Sequence, residues 1–137
     1  MLLSFGATMA VDAADNDPLR EIRWENRVLL VFATSMADAE VTEMQTVADA
    51  SRAELADRDL VFGWVLSEGD SRLDGQPVSS AYAKQIRDRS GFASDAFGVV
   101  LVGKDGSIKA RYEGVPDIDS VFALIDGMPM RRREMRK

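Results

Sequence analysis

The residues Thr34-Ser35-Met36-Ala37-Asp38-Ala39-Glu40 follow directly on the apolar run Val28-Leu29-Leu30-Val31-Phe32. A buried strand that opens into a short loop and an acidic helix start is a natural place for chemistry. Open α/β sheets present their ligands at the C-terminal ends of their strands. The hydroxyls of Thr34 and Ser35 are the only nucleophiles of this loop, and a hydroxyl needs a base. The chain has no histidine, so a lysine or a carboxylate of raised pKa would have to serve. It has no cysteine either, which removes thiolate nucleophiles, disulfides and thiolate metal sites. A Ser-His-Asp triad, a Cys-His pair and a histidine zinc centre are therefore excluded. The acidic set Asp38, Glu40 and Glu43 invites a hard cation, but calcium asks for roughly six to eight converging oxygens. The plainer reading is a capped helix start, with Asp38 accepting free backbone N–H groups at the positive end of the helix dipole.

Two further groups carry chemical potential. Met128 and Met130, with Met135 nearby, offer thioether sulfur of the kind that holds Cu(I). Met128 also continues an apolar helical stripe, so core packing competes with that role. The segment 131–137, RRREMRK, has five basic side chains and one acidic one in a chain whose net charge is −6. Its arginines, Arg131, Arg132, Arg133 and Arg136, would reach an acidic partner, or fold back onto the acidic body of their own domain. Nucleic acid is not expected as a partner, because an otherwise acidic chain repels phosphate. Trp24 and Trp64, at or beside strands, read as core aromatics.

The elements that must position these groups follow from periodicity. Val28–Phe32 reads as a strand covered on both faces. An amphipathic helix is predicted from about Ala39 to Ala56, with Val41, Met44, Val47, Ala48 and Leu55 near one stripe. A second apolar strand covers Leu60–Leu66. Ser67–Pro77 reads as a polar surface loop, and a helix from about Ser79 to Arg89 follows, ended by Ser90-Gly91. Gly98–Val102 is a third strand. The turn Lys104-Asp105-Gly106 leads to a half-exposed fourth, Ser107–Tyr112. Ile118, Val121, Phe122, Ile125 and Met128 make the stripe of a last helix, which Pro129 should stop. The order is β-α-β-α-β-β-α. Two βαβ crossovers favour parallel pairing and the final hairpin adds an antiparallel strand. The expected fold is α/β: a four-stranded mixed sheet flanked by helices, the order of a thioredoxin-like core.

The chain divides on this reading into an apolar start and acidic linker (1–18), one domain (19–130) and a basic tail (131–137). Leu2–Val11 is apolar, and Val11-Asp12-Ala13 resembles a small-residue cleavage site before Ala14, which points to export to the periplasm or beyond. No basic residue precedes this stretch, so its signal-like pattern is incomplete. It is also much shorter than the ~20 apolar residues of a membrane span.

The segment FGVVLVGKDGSIKARYEG, followed by VFALIDGMPMRRREMR, resembles an uncharacterised domain family of bacterial envelope proteins, domain of unknown function 4174. Related domains occur near the C-termini of sushi-repeat extracellular proteins in animals. The specific part is Gly103-Lys104-Asp105-Gly106, then Ile125-Asp126, then Met128-Pro129-Met130-Arg131, and the likeness runs from about Leu19 to Arg136. It implies a peroxiredoxin-like fold. The positions of a thioredoxin's redox cysteines would fall near Ala37 and Glu40. The approach to the third strand, Ser94-Asp95-Ala96-Phe97-Gly98, lacks the proline that thioredoxins place there. The resemblance thus brings a scaffold without its thiol chemistry, since no hydroxyl replaces a thiolate in disulfide exchange. The expected role is a redox-inactive binding or structural module that needs no cofactor and no metal. Its first candidate surface is Thr34, Ser35, Met36, Asp38 and Glu40, and the arginine segment is its second. An unidentified protein is the expected partner. Competing readings are an enzyme or non-thiol oxidoreductase with a pocket beside Ser35, and a Cu(I) handler.

Overall fold

The computed structural model describes residues 17–136. They form a six-stranded sheet with helices on both faces, and every strand but two is foreshadowed by an apolar run or by alternation. The elements are α1 (Pro18–Glu21), β1 (Arg27–Ala33), α2 (Ala39–Ala50), α3 (Arg52–Asp57), β2 (Leu60–Leu66), β3 (Ser71–Leu73) and β4 (Gln76–Val78). They continue with α4 (Ser80–Ser90), β5 (Gly98–Val102), β6 (Ile108–Tyr112), α5 (Ile118–Asp126) and α6 (Pro129–Met135). The sheet order is β4-β3-β2-β1-β5-β6.

Strand β1 is buried along its whole length because it runs down the middle of the sheet. It pairs in parallel with β2, from Arg27 opposite Leu60 to Ala33 opposite Leu66. On its other side it pairs antiparallel with β5, from Val28 opposite Val102 to Phe32 opposite Gly98. Its side chains alternate between two cores, as a strand's period of two requires. Val28, Leu30 and Phe32 pack with Ala83, Ile86 and Phe92 beneath α4. Leu29 and Val31 pack with Met44, Leu55, Val121, Phe122 and Ile125 beneath α2, α3 and α5. Gly98 is required where β5 begins, because an added Cβ would run into the Phe92 ring.

Four expectations change. The sheet has six strands rather than four, because Ser67–Pro77 is not all loop. Its centre folds into the β3–β4 hairpin, whose turn residues Asp74 and Gly75 both have positive φ. Leu73 is buried and Ser71 hydrogen-bonds Leu66 across the bend, so the hairpin caps the β2 edge. The second crossover does not give a parallel strand, since β5 runs against β1. The long first helix breaks at Ser51, which ends α2 and starts α3, so that Leu55 can reach the core. Pro129 does not stop a helix. Gly127 ends α5, and Pro129 occupies the first turn of α6, where its missing N–H costs nothing. The basic segment is therefore helical as far as Met135, so a boundary drawn at residue 130 falls inside α6. The signal-like stretch Leu2–Val11 lies outside the described residues.

Candidate functional site

At the C-terminal end of β1 the loop closes on itself. The Thr34 N–H donates to the Asp38 carboxylate at 3.2 Å, and the Ala37 N–H donates to the Ser35 hydroxyl at 3.2 Å. The Thr34 carbonyl accepts from the Glu68 N–H at 2.8 Å, which ties the loop to the one after β2. Asp38 is the N-cap residue of α2, but its carboxylate turns back to Thr34 instead of capping the helix as the sequence suggested. Thr34, Ser35 and Asp38 are half-buried; Met36, at 38% exposure, and Glu40 face outward. The five predicted surface residues thus share one edge. The Ser35 hydroxyl and the Asp38 carboxylate are committed to backbone groups, and the Met36 thioether and Glu40 are presented.

Beneath this edge lies a residue the motif reading missed. Arg87 of α4 is buried and donates to the carbonyls of Ala33 at 3.2 Å and Val65 at 2.9 Å, at the C-terminal ends of β1 and β2. Its guanidinium stands 6.0 Å from the Phe32 ring centroid. Burial lowers its pKa from the ordinary arginine value. Its Nη1 has no hydrogen-bond partner among the described residues, which is uncommon for a buried donor. The signal was available: Arg87 stands four residues after Ala83 and next to Ile86, on the buried stripe of α4.

The opposite end of β1 is charged. Arg27, 1% exposed, gives one guanidinium nitrogen to the Arg58 carbonyl at 2.9 Å and pairs with Glu134 at 3.2 Å. Lys104, also buried, bridges Glu134 at 2.7 Å and Asp59 at 2.9 Å. Arg131, 4% exposed, pairs with Asp57 at 2.6 Å and Asp126 at 3.0 Å, while Arg58 holds the other oxygen of Asp126 at 2.9 Å. Burial would raise the Asp126 carboxyl, but Arg58 and Arg131 outweigh it and hold it below the ordinary carboxylate range. Glu134 is likewise held low, with Lys104 and Arg27 overcoming the cost of burial. In the adjoining turn the Ser107 N–H and hydroxyl, then Lys109, bring Asp105 down to about 2.

This cluster redistributes the predicted groups. Arg131 is an internal ion-pair partner and leaves the candidate contact surface; Arg132, Arg133 and Arg136 are exposed and keep their place on it. The alternative of arginines folded onto the acidic body is what Arg131 does. Met128 packs against the α2, α3 and α5 core, Met130 is half-buried and Met135 is exposed. Trp64 stacks with Phe62 at 5.4 Å, but Trp24 is not core. It is 61% exposed, with φ 75°, and its N–H reaches the Lys104 carbonyl at 2.6 Å.

A cleft of about 160 Å³ opens on the α4 side of the sheet. Its floor includes Val28, Leu30, Phe32, Val100 and Val102, and it does not reach Ser35. No helix of the described residues is long and apolar enough to cross a membrane.

Among known proteins, the chain is similar to coiled-coil domain-containing protein 80 of Danio rerio, 28% identical over 135 residues. That match takes in 85% of this chain but 15% of the relative, so the chain spans a small part of that protein's length. The relative's name speaks of a coiled coil, whereas the longest described helix here, α2, has 12 residues. The lysine-glycine turn, Asp126 and the arginine helix that carried the resemblance converge in one ion-pair cluster. They belong to the stretch, residues 18–134, matched by the model for the domain of unknown function DUF4174, and the chain is a member of that family.

Proposed function

We propose that the chain is a redox-inactive, non-catalytic thioredoxin-like domain that works by contact in the bacterial envelope. The β2-β1-β5-β6 order, with β1 and β2 parallel and β5 antiparallel, supports the thioredoxin-like reading. The signal-like Leu2–Val11 supports export. One observation carries the proposal. The loop that would hold the redox thiol uses Asp38 and Ser35 to satisfy its own backbone, in a chain without cysteine or histidine. What that edge offers outward is Met36 and Glu40, a contact surface in place of a nucleophile and base.

The purified chain should neither consume peroxide nor reduce insulin disulfides. Turnover in a metal-free preparation would overturn the proposal. Proteins captured from envelope extracts should be lost with the double variant Met36→Asp, Glu40→Arg and retained with Arg132→Glu. The reverse pattern would move the surface to α6.

A further inference from the structure

The cleft on the α4 face is built differently from either end of β1. Its floor is apolar and buried, formed by sheet residues of β1 and β5 with Ile86 of α4. Its lip is α1, which is tied down across the floor. The Tyr82 hydroxyl donates to the Asp17 carboxylate and accepts the Leu19 N–H at 3.2 Å. The rim is basic, with Arg20, Arg23 and Arg89 all lining it. None of the three guanidinium groups has an ion-pair partner among the described residues, although the chain as a whole is acidic. The fourth charge on the lining, Asp17, is already engaged by Tyr82 and by the Arg20 N–H at 3.3 Å. Arg23 lies against Gly106, where a side chain would collide with its Nε at 2.6 Å, so the glycine leaves the guanidinium room at the cleft mouth.

We propose that this cleft binds a small amphipathic monoanion: one carboxylate at the arginine rim, attached to an apolar body of about six carbons. The size follows from volume. A cavity of roughly 150 Å³ holds one benzene-sized apolar group, and this one measures about 160 Å³. The charge follows from three cations that have no ion-pair partner among the described residues and stand around an apolar floor, the arrangement in which a few polar groups orient a ligand that burial holds. Arginine suits the role because its fork of donors matches a carboxylate.

The experiment is an amide NMR titration of the full chain with hexanoate and with 3-phenylpropanoate, against 1-hexanol as the uncharged probe. Saturable shifts are expected at Ile86, Val102 and Gly106, with Kd of order 1 mM for the acids, the range open to so few atoms. The alcohol should bind about tenfold more weakly, and the double variant Arg23→Gln, Arg89→Gln should weaken the acids by about the same factor, a modest loss because these arginines are solvent-exposed. Both are surface residues, so the variant keeps its fold, and its unliganded spectrum checks this. Arg132→Gln removes a charge outside the cleft and should leave binding unchanged. Absence of saturable shifts through the millimolar range, shifts centred elsewhere, equal binding of the alcohol, or equal loss in Arg132→Gln would each overturn the proposal. The outcome is independent of the Met36 edge, which these variants do not touch.

Discussion

The two ends of β1 solve opposite problems. At the Arg27 end, three buried cations, Arg27, Lys104 and Arg131, are held by carboxylates drawn from α3, the loop before β2, α5 and α6. At the Ala33 end, loop backbone groups are satisfied by Asp38, Ser35 and the backbone of the loop after β2, and the one buried cation, Arg87, caps carbonyls without an anion. A buried charge must be paired or it costs several kcal/mol. The charged end therefore fixes how distant elements dock, while the quiet end is free to vary what it shows to solvent. The residues that carry the family resemblance gather at the charged end. Much of that motif is thus architecture, and contact chemistry is better sought at the other end.

The sharpest way to break this comparison is Glu134→Ala, which strands Arg27 and Lys104. A loss of about 3 kcal/mol in urea unfolding is expected, the low end for a broken buried pair because Glu134 is partly exposed. A loss below that of Asp38→Ala would erase the distinction between the ends.

Acid should reveal the same asymmetry. Asp126 and Glu134 titrate below their ordinary values when folded, whereas their unfolded values are near about 4. The unfolded chain then binds more protons, so the stability from these groups is complete above that range and is lost as pH falls through it. Thermal melts from about pH 7 to about pH 3 should fall steeply at the acid end, and the Asp126→Asn, Glu134→Gln variant should give a flatter profile. An equally steep profile for the variant would assign the acid sensitivity to other carboxylates.

Asp38→Ala should cost about 1 kcal/mol, the usual worth of one hydrogen bond, here the bond from the Thr34 N–H. A larger loss would mean that the quiet end also holds the fold together. The smallest effect on stability is expected for Met36→Asp, within about 0.5 kcal/mol, because its side chain is exposed. A marked loss of stability there would show Met36 to be a packing residue and remove it from the contact surface.

Much of the scaffold was legible because apolar periodicity reports burial directly. The runs at Val28, Leu60 and Gly98 became β1, β2 and β5, and the stripe Val121, Phe122, Ile125 became the buried face of α5. The β3–β4 hairpin was missed because three-residue strands carry little alternation, and its turn signal, Asp74-Gly75, lay among other polar residues. Trp24 was misread because its type favours burial while its backbone, at positive φ beside the Lys104 carbonyl, turns it outward. The predicted contact loop did assemble on one edge, since five residues close in sequence stay close in space.

Composition alone removed thiol and imidazole chemistry, because a residue type that is absent cannot be restored by folding. The sequence also determined the main strands, since alternation and apolar runs are local properties of the chain. Only the tertiary structure decided that Arg131 is internal while Arg132 is external, that β5 opposes β1, and that Arg20, Arg23 and Arg89 surround one cleft. Those facts depend on which distant carboxylates and faces meet, and long-range docking leaves no periodic trace in the residues that take part.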